Sequence, residues 1–369
     1  MELCGTAEEV EKMLRQEADL TYTPMMGTFE LLPLCNMSCK MCYVRQTREE
    51  MELQGRMLTC DEWLRIAEEA CDKGLLYLLL TGGEPLLYPD FQRLYKGVSQ
   101  MGVILEINTN GTLIDEKMAD FLDENGVRKL NITLYGKDNV TYAKLCNNPD
   151  GFTQVMRAAR LLKERNILFR FNCSLTPDNV DQLPELQKIA DSLGVDLAAE
   201  EYMFPAVRRG KNARNQYRLT AEQAVREKIY TYRAYNAQEA REKLADLERP
   251  PRLKGLSGFS CHAGHCAFSV NWMGEVLPCG LLSAPKISAL EYSFDKCWNY
   301  IVDACKKLPE CQKCMECDKQ NVCQVCPAMC YAEAGSTAGC PDYVCQMTEH
   351  MITELTKIIE NDAAVGKML

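Results

Sequence analysis

Cys35-Asn36-Met37-Ser38-Cys39-Lys40-Met41-Cys42-Tyr43 follows directly on an apolar, strand-length run at 28–33. Its cysteines are spaced C-x3-C-x2-C. A loop this short wraps one metal cluster and cannot span two. Three thiolates hold three irons of a four-iron cubane and leave the fourth iron without a protein ligand. Such an open position admits a substrate or cofactor. Zinc is the competing ligand, but a closed zinc site needs four donors and no fourth lies nearby.

Outward from this loop, strand-length apolar runs recur at 75–80, 103–108, 129–134, 167–173 and 195–200. Helical stretches lie between them at 61–73, 90–101, 115–125, 152–165 and 179–193. Thr59 precedes the first and Asp150-Gly151 the fourth, both plausible helix starts. A further amphipathic helix is expected at 6–18, with Thr6 as N-cap and Glu9 three residues on. Strands alternating with helices predict an α/β fold built on a parallel sheet.

Side chains two apart on a strand share a face. Glu106, Asn108 and Asn110 share one, as do Asn131, Thr133 and Tyr135, then Arg170, Asn172 and Ser174, then Glu200 and Tyr202. A parallel sheet covered on both sides reads as nearly continuous apolar residues. Four successive polar faces therefore predict a wet lumen holding a polar ligand, with solvated strand ends as the alternative. Arg170 in such a lumen suits a carboxylate.

Three motifs join the cysteine loop: Thr81-Gly82-Gly83-Glu84-Pro85 after the second strand, Asn108-Thr109-Asn110-Gly111 at the third, and Ile132-Thr133-Leu134-Tyr135-Gly136 at the fourth. With C-x3-C-x2-C and the aromatic Tyr43, these resemble the radical SAM superfamily over about residues 28–204. The resemblance implies a partial (β/α)6 TIM-like barrel. It implies S-adenosylmethionine bound by Tyr43, Gly82, Gly83, Glu84, Asn110, Thr133 and Arg170, and a [4Fe-4S] cluster on Cys35, Cys39 and Cys42.

A second array runs Cys261-x4-Cys266-x7-Gly274-x4-Cys279, then Cys311, Cys314, Cys317, Cys323, Cys326, Cys330, Cys340 and Cys345. It is similar to the SPASM extension of peptide-modifying radical SAM enzymes. That resemblance implies two auxiliary [4Fe-4S] clusters, three clusters in all. Cys261, Cys266, Cys279 and Cys326 would hold the first, with Cys330 the alternative to Cys326. Cys314, Cys317, Cys323 and Cys345 would hold the second. Cys311 and Cys340 stay unassigned, and zinc also suits CxxC pairs. Cys4, Cys60, Cys71, Cys146, Cys173, Cys297 and Cys305 read as small apolar residues. His262 and His265 read as polar loop residues, with ligation or proton carriage the alternative.

The expected organisation is a helical extension at 1–27, the barrel at 28–204, a helical linker at 205–258, a loop-rich, cysteine-rich iron–sulfur domain at 259–346 and a closing helix at 347–369. The linker contains one long charged helix at 220–246 and a basic loop at 208–218. In the cysteine-rich domain, cysteines are expected to replace a hydrophobic core.

The 369 residues carry 42 Lys plus Arg against 52 Asp plus Glu, a formal charge of −10, which argues against a general nucleic-acid binder. Ten of the 21 cysteines lie between Cys297 and Cys345, in steps that suit metals better than disulfides. No apolar run approaches the roughly 20 residues of a membrane span. The opening residues lack a signal-peptide pattern, so a cytoplasmic protein is expected. Only 34 residues precede Cys35, too few for the fused peptide-recognition domain of some relatives. The resemblance implies oxidative modification of a peptide or small protein, with electrons from a flavodoxin or ferredoxin. A dehydrogenase of a small alcohol or carbohydrate, a sulfatase-maturating type of enzyme, and a zinc- or cluster-binding protein without activity are the alternatives.

Overall fold

The computed structural model describes residues 6–205, 217–232, 235–249 and 261–366. Among the described residues nine strands form one sheet: β1 (Met26–Glu30), β2 (Tyr77–Thr81), β3 (Ile104–Thr109), β4 (Lys129–Thr133), β5 (Phe169–Ser174), β6 (Leu197–Glu200), β7 (Ala267–Val270), β8 (Glu275–Leu277) and β9 (Ile287–Ser288). Their order is β6-β5-β4-β3-β2-β1-β7-β8-β9, with every pair from β6 to β7 parallel. The six expected strands are all present, and with their helices they make the partial α/β barrel. β1 starts and ends earlier than the run at 28–33. The chain turns toward the cysteine loop at Pro33, which has no N–H to give a ladder.

The helices are α1 (Ala7–Thr21), α2 (Arg48–Gln54), α3 (Cys60–Cys71), α4 (Phe91–Gln100), α5 (Glu116–Asn125), α6 (Asn139–Cys146), α7 (Gly151–Glu164), α8 (Leu183–Leu193), α9 (Ala221–Arg226), α10 (Ala237–Ala245), α11 (Phe294–Cys305), α12 (Gln312–Met315), α13 (Pro327–Ala334) and α14 (Asp342–Gly366). Reciprocal capping boxes start α1 at Thr6 and Glu9 and α3 at Thr59 and Glu62. Asp150 stands at the N-cap of α7, but its side chain makes no capping bond.

The expected helix at 220–246 is not continuous. After α9 the backbone widens into a π-helix, Glu227–Tyr232, and Tyr235 N–H reaches back to the Ile229 carbonyl. Asn236 then caps a new helix, accepting from the amides of Gln238 and Glu239. Both pieces pack on α14 through Val225, Ile229, Ala240 and Leu355. Of the basic stretch, 208–216 lies outside the described residues.

The segment after Cys261 also departs from expectation, because it carries strands, helices and apolar side chains that join the barrel's core. β7 pairs with β1, and Phe268 packs at 4.7 Å from Phe294 and 6.0 Å from Trp298. These rings belong to the same buried cluster as Phe29 and Trp63 of the barrel.

Candidate metal and cofactor site

The cysteine loop leaves the C-terminal end of β1. Met37 and Met41 are buried and anchor it in the core, while Cys35, Cys39 and Cys42 stay partly exposed. Loop amides point at sulfur: Met37 N–H donates to Cys35 Sγ and Arg45 N–H to Cys42 Sγ. The far side is pinned by α6, a helix that sequence periodicity does not reveal. Ser38 N–H and Lys40 N–H donate to the carbonyls of Cys146 and Leu145, each at 3.0 Å. The last carbonyls of a helix lack intrahelical partners, and here the loop supplies them. Cys146 also meets the Cys39 thiol, whose pKa is held high first by that contact and then by burial.

The Gly82-Gly83-Glu84 turn packs against the base of this loop. Gly83 N–H and Glu84 N–H donate to the Leu32 and Leu34 carbonyls at 2.7 and 2.9 Å. A Cβ on Gly82 would fall 2.5 Å from the Leu32 carbonyl oxygen, and one on Gly83 would collide with that of Leu34. The glycines thus serve close backbone approach. Glu84 is fully buried. Its carboxylate accepts from Asn110 N–H and Thr109 Oγ1, both at 2.7 Å, and from Leu86 N–H at 3.1 Å. Burial raises its pKa to about 7 against these bonds.

Asn110 ties the third strand's end to the cysteine loop. Its Nδ2 donates to Asn36 Oδ1 at 2.8 Å and lies 3.6 Å from Cys35 Sγ, while Asn36 donates to Thr112 Oγ1. The Cys35 thiol is pushed up to about 12, chiefly by burial, with Glu84, Cys39 and Cys42 adding to the effect. Three thiols and a carboxylate so placed call for positive charge, which a metal cluster provides.

The polar strand faces meet as a ladder. Asn108, Asn131 and Arg170 are register neighbours on β3, β4 and β5. Asn131 Nδ2 donates to Asn108 Oδ1 at 2.8 Å, and Arg170 Nε donates to Asn131 Oδ1 at 2.7 Å. One step toward the C-terminal ends, Thr133 pairs in register with Asn172. Thr133 Oγ1 and Asn172 Oδ1 are both buried without a hydrogen-bond partner. Buried polar atoms are rarely left so, and two side by side fit a polar ligand such as S-adenosylmethionine. Tyr43 is half-buried just past Cys42. Tyr202 leaves the ladder and donates to Glu333 of α13 at 2.9 Å.

The C-terminal cysteines divide into neighbourhoods. Cys314, Cys317, Cys323 and Cys345 line one cavity, joined by Cys340. Cys311, Cys314 and Cys340 have sulfurs within 4.8 Å of one another, and Cys330 lies beside them. Cys326 is at the N-cap of α13, where the amides of Ala328 and Met329 reach its sulfur, and it neighbours both Cys330 and Cys261. Cys261 and Cys279 neighbour Cys305, which is buried and whose thiol burial pushes up to about 12. Gly264 has φ +70, and a Cβ there would lie 2.7 Å from Cys305 Sγ. Cys266 is placed elsewhere, buried with Ala18 and Met25 beside Asp19. Sequence reasoning put Cys305 among the apolar residues, because its spacing from Ile301 and Val302 on α11 matches the buried face.

Residues 29–190 match the family model described as the radical SAM superfamily. The chain thus carries a radical SAM domain over those residues, followed by a cysteine-rich C-terminal region. It is 24% identical to the AdoMet-dependent heme synthase of Methanosarcina barkeri, over 86% of this chain and 95% of that one. It is 26% identical to the PqqA peptide cyclase of Granulibacter bethesdensis, over 82% of each. In fold it is similar to Streptococcus suis SuiB bound to S-adenosylmethionine, with TM-score 0.67, 18% identity and coverage of 94% of this chain and 84% of that one. The complex of SuiB with its precursor peptide SuiA gives TM-score 0.65, 19% identity and coverage of 93% and 82%. No helix among the described residues is long and apolar enough to cross a membrane.

Proposed function

We propose that this chain cleaves S-adenosylmethionine reductively and uses the resulting radical to oxidise a peptide substrate. The observation that carries the reading is the juxtaposition of three thiols on one anchored loop with a polar lumen ending in two partnerless atoms, Thr133 Oγ1 and Asn172 Oδ1. Bound at Cys35, Cys39 and Cys42, a four-iron cluster and S-adenosylmethionine supply the one-electron cleavage that yields 5′-deoxyadenosyl radical and methionine. The chain's own residues bind and orient. Arg170 offers its guanidinium to a carboxylate, Thr133 and Asn172 hydrogen-bond the ligand, and Tyr43, Gly82, Gly83 and Asn110 border it. Glu84, already holding three donors, works through the loops it joins.

In this reading Cys261, Cys279, Cys305 and Cys326 hold the first auxiliary cluster, and Cys314, Cys317, Cys323 and Cys345 the second. Cys305 thus takes the place that the resemblance gives to Cys266, and Cys330 drops out. A flavodoxin- or ferredoxin-type donor supplies electrons. The peptide as substrate is supported by similarity to PqqA peptide cyclase and to SuiB. A porphyrin-type substrate is the second reading, favoured by the match over 95% of the heme synthase.

Anaerobically reconstituted protein is incubated with S-adenosylmethionine, reductant and a short peptide encoded beside its gene. Deoxyadenosine release with loss of hydrogen from the peptide by mass spectrometry is expected. Release that depends on an iron-free porphyrin or on heme precursors, with the peptide unchanged, establishes the second reading. No release with any partner, or release that survives alanine at all three loop cysteines, overturns both.

A further inference from the structure

Asp19 lies in the last turn of α1, and His262 and Cys266 lie in the turn that enters β7. One carboxylate oxygen, one imidazole nitrogen and one thiol sulfur from these three come within 4.8 Å of one another. The turn is built to present its pair. The amides of Cys266 and Ala267 both donate to the His262 carbonyl, at 3.0 and 2.9 Å, and Met26 N–H at the start of β1 holds the Cys266 carbonyl at 2.9 Å. The site therefore sits at the N-terminal ends of the strands, across the barrel from the Cys35 loop.

An ion pair explains only part of it. Asp19 Oδ2 lies 2.7 Å from His262 Nδ1, but Asp19 Oδ1 is buried with no hydrogen-bond partner. Cys266 is buried beside the same carboxylate. Burial first, and then the carboxylate, holds the Cys266 thiol pKa well above its ordinary value, and the buried Oδ1 is left as an acceptor without a donor. Arg15 is a nearby cation whose Nη2 is paired with Glu11 and whose Nε is buried without a partner, making no hydrogen bond to Asp19 Oδ1. Donors around tetrahedral zinc lie roughly 3.3–3.8 Å apart, given bonds of about 2.0–2.3 Å, so three donors within 4.8 Å of one another suit a single ion once the 2.7 Å Asp19–His262 contact opens slightly to admit it. One oxygen, one nitrogen and one sulfur are donors that zinc accepts. His262 and Asp19 remain 41% and 28% exposed, leaving a fourth position for water.

We propose that Asp19, His262 and Cys266 bind one zinc ion that clasps α1 to the turn entering β7. The carboxylate and thiolate balance its charge. The clasp rests on the reading in which Cys305, not Cys266, completes the first auxiliary cluster.

The test measures iron, sulfide and zinc in the full chain purified anaerobically with its clusters. One zinc per chain is expected in the unmodified protein. Asp19→Asn, His262→Gln and Cys266→Ser each lose it while iron and sulfide stay unchanged, and zinc-edge X-ray absorption of the unmodified protein shows a single sulfur ligand. Absence of zinc from the unmodified protein, or its retention in all three variants, overturns the proposal. Loss of a cluster's share of iron in Cys266→Ser also overturns it and returns that cysteine to the first auxiliary site. A chain that holds zinc here but no iron anywhere would sink the radical reading and leave the clasp standing.

Discussion

Thr133 and Asn172 face each other across β4 and β5 with buried polar atoms that nothing among the described residues satisfies. A hydroxyl that waits for a ligand costs stability until the ligand arrives. Thr133→Val is therefore expected to leave the ligand-free chain as stable or up to about 1 kcal/mol more so. The same change weakens S-adenosylmethionine binding about tenfold, the worth of about 1.4 kcal/mol. Melting curves and equilibrium dialysis on the reconstituted protein check the pair of effects. Glu84 is the opposite case, a buried carboxylate with three donors. In Glu84→Gln one amide face meets an N–H or O–H donor instead of accepting it. A loss of about 1–3 kcal/mol is expected, read as a lower midpoint in denaturant.

At the scale of elements, α6 matters more than its eight residues suggest, because its last carbonyls hold the cysteine loop. Asp138 caps it by accepting from Thr141 N–H at 2.8 Å. Asp138→Ala is expected to cost about 1 kcal/mol and to lower the iron retained after reconstitution, measured against protein. α3 offers a pH test. Arg56 beside Glu62, with help from Thr59, lowers the Glu62 pKa to about 2 from an ordinary 4.5. A carboxyl whose pKa falls on folding contributes stability that is complete above 4.5 and is lost as pH drops toward 2. Glu62→Gln keeps a residue able to complete the capping box and removes the charge. It should cost about 1 kcal/mol at neutral pH, the range of partly exposed pairs, and flatten the acid limb of stability between those two values. Unchanged pH dependence would show that the pair contributes nothing.

Across the whole molecule, the barrel and the cysteine-rich region share one sheet and one core. A chain ended before β7 leaves β1 as an open edge beside uncovered apolar side chains, a template for aggregation. Such a truncation is expected to elute as soluble aggregate in size-exclusion chromatography, while the full chain elutes at a defined size. The barrel strands, most helices and the cluster loop were legible in the linear chain. Periods of two and 3.6 residues and cysteine spacing are local signals, and each names its own element. The polar row across the strands was legible too, through the alternation that places Asn108, Asn131 and Arg170 on one face. The short helices α2 and α6 escaped notice because fewer than three turns leave little periodicity, and α11 to α13 with β7 to β9 did so because the cysteine-rich segment reads as loop. Contacts between distant residues were beyond local reading altogether. That β7 joins β1, that Cys146 meets Cys39, that Cys305 gathers with Cys261 and Cys279 while Cys266 turns to Asp19, all depend on which surfaces the packed core brings together. Local pattern set which residues form each piece; burial of apolar area across hundreds of residues set which thiols became neighbours, because that driving force carries no memory of sequence distance.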